Sequence, residues 1–352
     1  MSSVAGYNAA SRPDDVLAGR PDIHPFNHLL YLPHVDGTPA TGLGVSYETA
    51  LVACQIIAGN AFQGRLTSDA DSQHAVHVPD DGVLKDEKYF FFVDAGVTTY
   101  AVVPGFLDWE FPHATLPDSW RSASLTMSEP GTRCAVSNYR RPTDVAHIVP
   151  RHEEDWFQKN GMDRYCTEGS LSHTIGSLSN LVRLRSDLHS LFDQHHYAFV
   201  PKKRPDAEGR SFVFHVCHKD ATEYGSDMQN TLVQYLPSDC RPLLFARFAW
   251  TVLLLVNPFV ANGVERVVRV RAADGSDAKY ETIPLSAPKL RKKYGGGGSL
   301  AATSLKRKRG EPSGDYDMFA NSVHSGASED NYSSEDSGDD DCDERLRPGT
   351  GE

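Results

Sequence analysis

Features typical of secreted and disulfide-rich proteins are scarce in this sequence. Its 352 residues include six cysteines, at positions 54, 134, 166, 217, 240 and 342, and no two are spaced Cys-x-x-Cys. The N-terminal stretch MSSVAGYNAASRPDDVLAGR contains no apolar run of the kind a secretory signal needs. We therefore expect an intracellular protein in a reducing compartment, not a secreted one, with mostly buried thiols and no cysteine-based zinc site.

Long hydrophobic runs are also missing. The most apolar stretch, FAWTVLLLV (248–256), is nine residues long and lies between Arg247 and Asn257. A helix needs about 20 apolar residues to cross a bilayer. The stretch is therefore predicted to be a helix buried in a protein core, and we expect no membrane partner.

The charge is unevenly distributed along the chain, whose net charge is −12. Residues 310–352 carry 13 Asp/Glu and 2 Arg, residues 289–309 carry 8 Lys/Arg and no acid, and residues 1–288 carry 34 acids and 25 bases. Within that acidic body, residues 131–204 are locally basic, with 11 bases and 8 acids. Because basic surface attracts phosphate, 131–204 and 289–309 are the segments expected to contact nucleic acid.

The sequence of the first third of the chain predicts a flexible arm followed by a small lobe. Residues 1–22 are polar and are predicted to be a flexible N-terminal arm. Within residues 23–125, SYETALVACQIIAGNAF (46–62) has helical spacing, and KYFFFVDAGVTTYAVVP (88–104) predicts two strands around a turn. We expect an α+β lobe here and find no chemistry in it.

The C-terminal part predicts a second α+β segment and a tail. Residues 205–288 contain three strand-like stretches around the apolar helix at 242–256, and they are expected to pack on the central segment. From residue 289 the composition changes to the linker GGGGS (295–299), a basic cluster and an acidic serine-rich run. Residues 289–352 are therefore predicted to be a disordered tail, basic first and then acidic.

The central segment, residues 131–204, carries the polar residues of interest. CAV (134–136) and DVAHIVP (144–150) are strand-like, and His147 lies near the end of the second. NLVRLRSDLHSLFDQHH (180–196) begins as an alternating strand and changes at Ser186, a predicted N-cap, to helical spacing. His189 and Asp193 then lie one turn apart on one helical face, so both can bind one divalent cation.

The arrangement AHIVP … SLSNLVRLRSDLHSLFD resembles that of the HNH endonucleases, which share a ββα-metal fold. It is especially similar to a branch common in fungal proteins, with an A-H-[IL]-[VI]-P strand and an N-x-[IVL]-x-L-[RC]-x-D-[LI]-H-x-[LA]-F-D helix. The resemblance covers residues 131–204. It implies an HNH nuclease-like module in an α+β protein, and metal-dependent hydrolysis of phosphodiester bonds in nucleic acid, with DNA favoured over RNA.

The resemblance also implies a role for each polar residue of the motif. His147 would be the general base that activates a water, and Asn180 would orient His147 or hold the loop. His189 would bind one divalent metal ion, Mg²⁺, Mn²⁺ or Zn²⁺, with Asp193 as partner ligand. That ion would polarise the scissile phosphate and stabilise the leaving oxygen. Imidazole suits the role of base because its ordinary pKa is about 6.5.

One position departs from the family pattern. Many HNH enzymes place an acidic or histidine ligand immediately before the base, and Ala146 stands there in this sequence. Asp144 is predicted to be a poor substitute, because it lies about 6–7 Å further back along the strand. An alternative function is therefore a catalytically weak or inactive HNH-fold module that binds nucleic acid or protein. A third is a regulatory protein in which the tails are the functional parts.

Residues around the motif are open to two interpretations. Arg151, Arg183 and Arg185 are candidates for contacts with phosphate, and the alternative is that the two strand arginines only cover the strand edge. His195 and His196 are expected on the surface beyond the helix. The loop residues His152, Glu153, Glu154 and Asp155 are expected to be solvated.

The tail offers two signals for partner proteins. The cluster Lys306, Arg307, Lys308 and Arg309 favours recognition by a nuclear-import receptor, and so a nuclear location over a cytoplasmic one. Ser333, Ser334 and Ser337 lie among acidic residues, as in substrates of acidophilic kinases. The alternative for the acidic run is a solubilising tail.

Overall fold

Thirteen β-strands and eight α-helices are formed by the part of the chain that the structure, a computed structural model, describes. That part comprises residues 2–6 (backbone only), 28–69, 75–93, 100–126, 132–166, 174–204, 208–261, 264–273 and 279–295. The strands are β1 (Ser2–Gly6), β2 (His28–Leu32), β3 (Asp36–Thr38), β4 (Gly42–Ser46), β5 (Arg65–Thr67), β6 (Val83–Leu84), β7 (Lys88–Phe92), β8 (Thr143–His147), β9 (Leu181–Arg185), β10 (Tyr197–Lys203), β11 (Arg210–Val216), β12 (Arg266–Arg271) and β13 (Tyr280–Leu285). The helices are α1 (Tyr47–Ile57), α2 (Asp118–Arg121), α3 (Glu154–Lys159), α4 (Ser186–Asp193), α5 (Gly225–Met228), α6 (Arg241–Leu255), α7 (Asn257–Ala261) and α8 (Ala287–Tyr294).

Four strands form a sheet in the order β2-β1-β7-β5. β1 lies inside this sheet, antiparallel to β2 and parallel to β7. The prediction of a flexible arm is therefore wrong for residues 2–6, because their backbone pairs with strands on both sides. Residues 7–22 of that arm lie outside the described residues. β7 pairs with β1 and β5, whereas Val102 pairs with Val268, so the described strands do not form the hairpin predicted over 88–104.

The predicted helix of the N-terminal lobe is confirmed as α1. The N–H of Thr49 donates to Oγ of Ser46, 3.4 Å away, which caps the helix as a serine at this position is expected to do. The helix ends at Ile57 instead of residue 62. α1 follows directly on β4, the middle strand of a second small sheet, β3-β4-β6.

The apolar stretch near residue 250 forms α6 in the protein core. The continuous helical region Arg241–Ala261 is long and apolar enough to cross a membrane. However, 78% of its most apolar window is buried inside the structure. Aromatic rings surround it: the Phe245 ring lies 4.9 Å from that of Trp120 and 5.9 Å from that of Trp109. The prediction of a buried core helix is therefore confirmed.

Ion pairs join the N-terminal lobe to β10, at the end of the central segment, and to β11, which follows it. Nζ of Lys202, on β10, lies 2.5 Å from Oδ1 of Asp36, on β3. Burial alone would raise the pKa of the Asp36 carboxyl, but neighbouring Lys202 and His215 hold it below its ordinary value. Nε of Arg210, on β11, donates to Glu48 of α1 at 2.8 Å. Both pairs lie within the compact unit Met1–Thr303.

The prediction that the disordered tail begins at residue 289 places this start too early. Helix α8 covers Ala287–Tyr294, with Leu290 fully buried and the Tyr294 hydroxyl donating to Oδ2 of Asp108 at 2.9 Å. Burial of Leu290 favours packing of α8 on the protein, although the neighbouring residues are basic. Residues 296–352, with the basic cluster at 306–309 and the serines of the acidic run, lie outside the described residues.

Helices and short, mostly antiparallel sheets are interspersed along the chain, so the predicted α+β class is confirmed. The five cysteines at described positions, Cys54, Cys134, Cys166, Cys217 and Cys240, are free and buried, as expected. Residues 134–136, predicted to be a strand, form a turn closed by the N–H of Asn138 on the carbonyl of Cys134 (3.0 Å).

Candidate active site

The central segment forms a hairpin followed by a helix. β8 and β9 pair antiparallel, with His147 opposite Leu181 and Thr143 opposite Arg185. α4 continues directly from β9, so the predicted strand, strand and helix order is confirmed. The helix begins at Ser186, and its N-cap is Arg185, without a side-chain cap bond; the predicted capping by Ser186 is therefore wrong by one residue. Leu188 and Phe192 bury the apolar face of α4, as predicted.

Helix α4 runs back along the hairpin from the Thr143 end towards the His147 end. A rise of 1.5 Å per helical residue places His189 about 5 Å along this path, and a rise of about 3.3 Å per strand residue places Asp144 about 3 Å along it. The two side chains therefore meet: Nδ1 of His189 lies 3.7 Å from Oδ2 of Asp144. On the other side of the same ring, Nε2 of His189 lies 3.4 Å from Oδ2 of Asp193.

Asp144 is the site residue that the sequence interpretation undervalued. It is far from the position of the Ala146 side chain, as expected, but the relevant neighbour is His189 on α4. The side chains of Asp144, His189 and Asp193 are 39%, 25% and 51% exposed. Two carboxylates and an imidazole that reach solvent fit a divalent cation by donor type, and the pairing of a ring nitrogen with each carboxylate fits a metal-ligating histidine oriented by an acid.

His147 closes β8 and contacts an arginine of the following turn. Nε of Arg151 donates to Nε2 of His147 at 3.2 Å. Because a guanidinium can only donate, this contact requires a lone pair on Nε2 and, in the neutral ring, a proton on Nδ1. Arg151 itself is exposed. The nitrogen that faces Arg151 is therefore the one able to accept a proton.

Asn180 is fully buried and holds the chain that follows His147. Its Oδ1 accepts the N–H of Val149 (2.8 Å), and its Nδ2 donates to the carbonyls of Val149 and Ile175 (both 2.7 Å). Its backbone carbonyl accepts the N–H of Ile148 (2.8 Å). Of the two roles that the family resemblance implied, these bonds favour holding the loop over a contact with the His147 ring.

Arg247 of α6 donates hydrogen bonds to the backbone at both ends of the site. Its Nη1 donates to the carbonyl of Ile148 at 3.4 Å, its Nη2 donates to the carbonyl of Phe192, and its guanidinium lies 3.8 Å from the centre of the Phe192 ring. Ile148 follows His147 and Phe192 precedes Asp193, so one side chain ties both neighbours together. Burial lowers the pKa of Arg247 to about 10, which leaves it charged at neutral pH.

The three arginines proposed for phosphate contacts differ in their present partners. Arg185 holds Asp187 in a two-pronged pair, at 2.6 and 2.7 Å, and its guanidinium lies 5.7 Å from the Tyr139 ring. Nη1 of Arg183 donates to Oγ1 of Thr143 at 3.4 Å, across the hairpin. Arg151 is the exposed one of the three and the one that contacts a site histidine.

His195 is buried, contrary to expectation. It has a left-handed backbone (φ +59°), its ring centre lies 4.0 Å from that of Trp250, and it is 7% exposed. Burial, and then the charge of Arg247, hold its pKa well below the ordinary value. The turn at the end of α4 therefore buries His195, although the polarity of the pair His195-His196 favours the surface.

Glu153 is also buried, so the expectation of a fully solvated loop at 152–155 is wrong at that position. It is 8% exposed, and burial, with a smaller effect of Asp155, raises the pKa of its carboxyl to about 7. His152 lies 3.6 Å away, but burial and Arg247 lower the pKa of that imidazole, so it is mostly neutral and compensates the carboxylate poorly. Ala146, by contrast, is 0% exposed and offers no donor at the position before His147.

Comparison with known proteins gives one match to a family model. Residues 134–200 match the family model described as HNH endonuclease. No curated protein matches the chain. No solved structure matches it either.

Proposed function

We propose that residues 134–200, which match the HNH endonuclease family model, form the HNH domain of a metal-dependent nuclease that hydrolyses phosphodiester bonds of nucleic acid. The observation that carries the proposal is the position of His189 between the carboxylates of Asp144 and Asp193. The helix of His189 packs along the β8–β9 hairpin, in which His147 is the last residue of β8.

The donor set assigns roles to the three residues. His189, through Nε2, and Asp193 would hold a divalent cation, while Asp144 would accept the N–H of Nδ1 and orient the ring. When bound there, a cation such as Mg²⁺, Mn²⁺ or Zn²⁺ supplies Lewis-acid polarisation of the scissile phosphate. Ala146 supplies no ligand at the usual position before the base, and Asp144 acting through His189 would offset this loss.

His147 would take a proton from the attacking water on Nε2. In the structure this nitrogen accepts a hydrogen bond from Arg151, so it already carries the lone pair that a general base needs. A guanidinium binds phosphate in a two-pronged geometry that imidazole cannot match. A substrate phosphate would therefore draw Arg151 away and leave Nε2 of His147 to the water.

Asn180 and Arg247 would act as positioning residues. Asn180 fixes residues 149 and 175 with three side-chain hydrogen bonds and residue 148 with its backbone carbonyl, and Arg247 fixes the carbonyls of Ile148 and Phe192. Neither side chain bonds to a group that would react. Both hold backbone beside His147 or Asp193, which keeps base and metal ligands in register.

Substrate and location belong to the same proposal. DNA is favoured over RNA by the resemblance alone, and the locally basic charge of 131–204 supports a polyanionic substrate. Import into the nucleus would use Lys306–Arg309, and imaging of a variant with these four residues replaced by alanine tests it. Phosphorylation at Ser333, Ser334 or Ser337 by an acidophilic kinase would be detected by mass spectrometry of those peptides.

The deciding experiment is a nuclease assay on plasmid DNA, single-stranded DNA and RNA with Mg²⁺, Mn²⁺, Zn²⁺ or EDTA. We expect cleavage with at least one metal and none with EDTA. His147→Ala should lower the rate about 10²–10⁴-fold, the usual loss for a general base, with an unchanged unfolding midpoint. His77→Ala, at an exposed histidine of the N-terminal lobe, is the matched control and should cleave like wild type.

The buried Ala146 favours one competing function, a module that binds nucleic acid without cutting it. That function predicts salt-dependent binding with no cleavage under any metal. Cleavage by His147→Ala at the wild-type rate would instead remove His147 from the mechanism and leave the domain assignment standing.

A further inference from the structure

His196, His218 and Asp220 lie together beside the C-terminal end of α4. One ligand atom of each lies within 4.8 Å of those of the other two. The group shares no residue with Asp144, His189 and Asp193, and nothing in the family pattern of the HNH motif accounts for it. Its chemistry, two imidazoles and one carboxylate, is that of a transition-metal site.

The backbone holds His196 in a defined place. Helix α4 ends in a Schellman motif, in which the N–H of His195 donates to the carbonyl of Phe192 (2.9 Å) and the N–H of His196 to that of Leu191 (3.0 Å). The left-handed conformation that this motif requires is adopted by His195, at φ +59°. The direction in which His196 leaves the helix is therefore fixed.

The same backbone ties His196 to His218. The carbonyl of His196 accepts two hydrogen bonds, from the N–H of Cys217 (2.8 Å) and from that of His218 (3.1 Å). Tyr197 then pairs with Val216 at the start of the β10–β11 ladder. Both histidines are thus attached to a rigid frame before any ligand arrives, which lowers the entropic cost of binding one.

The side chains converge within this frame. The two rings lie 4.9 Å apart and 9° from parallel, and Nδ1 of His218 lies 3.6 Å from Oδ2 of Asp220. The N–H of Asp220 donates to Nδ1 of His218 at 3.2 Å, so a lone pair is present on that nitrogen. Nδ1 of His196 is buried and has no hydrogen-bond partner among the residues the structure describes. A buried imidazole nitrogen without a partner is unfavourable, and a metal ion bound through Nδ1 of His196 would give it one.

We propose that His196, His218 and Asp220 bind a Zn²⁺ ion that clamps the end of α4 to the end of β11. Zinc takes nitrogen and oxygen ligands at about 2.0–2.2 Å in a tetrahedron, which places ligand atoms about 3.3–3.6 Å apart. The three side chains must close from their present spacing by about 1 Å, a change that χ rotations of partly exposed side chains allow. Water supplies the fourth ligand, and the ion acts as a structural clamp.

The test is Zn²⁺ binding by the full-length protein, measured by equilibrium dialysis. His218→Ala and Asp220→Asn should each bind one Zn²⁺ fewer than wild type, while His77→Ala should match wild type. Zn²⁺ should raise the midpoint of thermal unfolding by a few degrees in wild type and His77→Ala, and not in the two site variants. Co²⁺ should give the visible absorption of a tetrahedral site in wild type and His77→Ala, and not in the two site variants.

A second background separates this site from the proposed nuclease centre. The double variant His189→Ala/Asp193→Asn lacks the proposed nuclease ligands, and it should keep the Zn²⁺ ion that Asp220→Asn removes. Equal Zn²⁺ stoichiometry and equal midpoint shifts in wild type, His218→Ala and Asp220→Asn would overturn the clamp. If His218→Ala does not fold, Asp220→Asn decides the test. The Asp220 side chain is 62% exposed, and the amide of the substituted asparagine has the size of the carboxyl group.

Discussion

At the scale of single residues, the environment of His189 decides how the site would hold the metal ion that we propose. One ring nitrogen faces Asp193 on the same helix, and the other faces Asp144 on β8. An imidazole can give only one nitrogen to an ion, so one carboxylate serves as ligand and the other as orienting partner. The two carboxylates should therefore differ in how strongly they affect metal affinity.

His189→Ala and Asp193→Asn should raise the metal concentration for half-maximal cleavage the most, because both remove a ligand. Asp144→Asn should raise it about 10–100-fold, the usual effect of losing an orienting acid. Asp187→Asn is the matched control, since that carboxylate lies on the same helix but is bound to Arg185. A larger effect of Asp144→Asn than of Asp193→Asn would exchange their roles, and unchanged titrations in all three would place the metal elsewhere.

Glu153 makes stability depend on pH in the neutral range. Its pKa rises from an ordinary 4.5 to about 7 on folding, so the folded protein holds the proton more tightly than the unfolded chain. The resulting stabilisation is complete below about pH 4.5 and is lost as the pH rises through 7. Glu153→Gln mimics the protonated form. Its free energy of unfolding should therefore fall less between about pH 5 and pH 8 than that of wild type, as urea titrations would show.

Exposed Glu154 supplies the comparison for this pH effect. Glu154→Gln, one residue further on, should keep the wild-type pH dependence. Parallel pH curves for wild type and Glu153→Gln would show that Glu153 ionises normally in the folded protein.

At the scale of secondary-structure elements, the site depends on how α6 holds β8 and α4. Arg247 donates to a carbonyl at the end of each, and it is 1% exposed. Two opposing terms decide its contribution to stability. Loss of the guanidinium takes a donor from both carbonyls; that of Phe192 keeps the N–H of His195, and an unpaired carbonyl of Ile148 would cost about 1–3 kcal/mol. The same loss also removes a buried charge whose desolvation costs several kcal/mol.

Arg247→Met should therefore change the free energy of unfolding by less than about 2 kcal/mol, because the two terms nearly cancel. It should nevertheless lower kcat more than it changes KM, since the ends of β8 and α4 lose their common anchor. Arg247→Lys keeps a buried charge without the fork that reaches both carbonyls, and it should be the less stable of the two variants. Urea unfolding and cleavage kinetics measure both effects, and the reverse order of stability would contradict the desolvation argument.

At the scale of the whole molecule, the folded part extends through α8. Leu290 is fully buried and Tyr294 bonds to Asp108, so these residues belong to the compact unit although their neighbours are basic. Deletion of 296–352 should leave the unfolding free energy unchanged. Deletion of 287–352 should lower it by about 2–4 kcal/mol, from the exposed apolar contacts of one leucine and the lost hydrogen bond.

Denaturation curves of the two truncated proteins check this boundary. Equal stability of both would mean that α8 contributes nothing to the fold. A loss of stability on removing 296–352 alone would mean that the tail interacts with the folded unit.

The sequence by itself was enough to identify the hairpin and helix of the site, because their signals are local. The alternation of Leu181 to Arg185 predicts β9, and the spacing of Leu188 and Phe192 predicts the buried face of α4. The apolar stretch at 248–256 predicted a core helix for the same reason. The motif residues themselves sufficed to state a resemblance to the HNH endonucleases, and the family match to 134–200 bears out that resemblance.

Only the tertiary structure could decide which polar groups meet. Asp144 reaches His189 because α4 folds back over the hairpin, and Arg247 joins Ile148 to Phe192 from a helix more than fifty residues further along the chain. His195 and Glu153 are polar by type, yet packing against α6 and the neighbouring loops buries them. Burial, pairing and pKa follow from contacts distant in sequence, and local patterns of residue type do not specify such contacts.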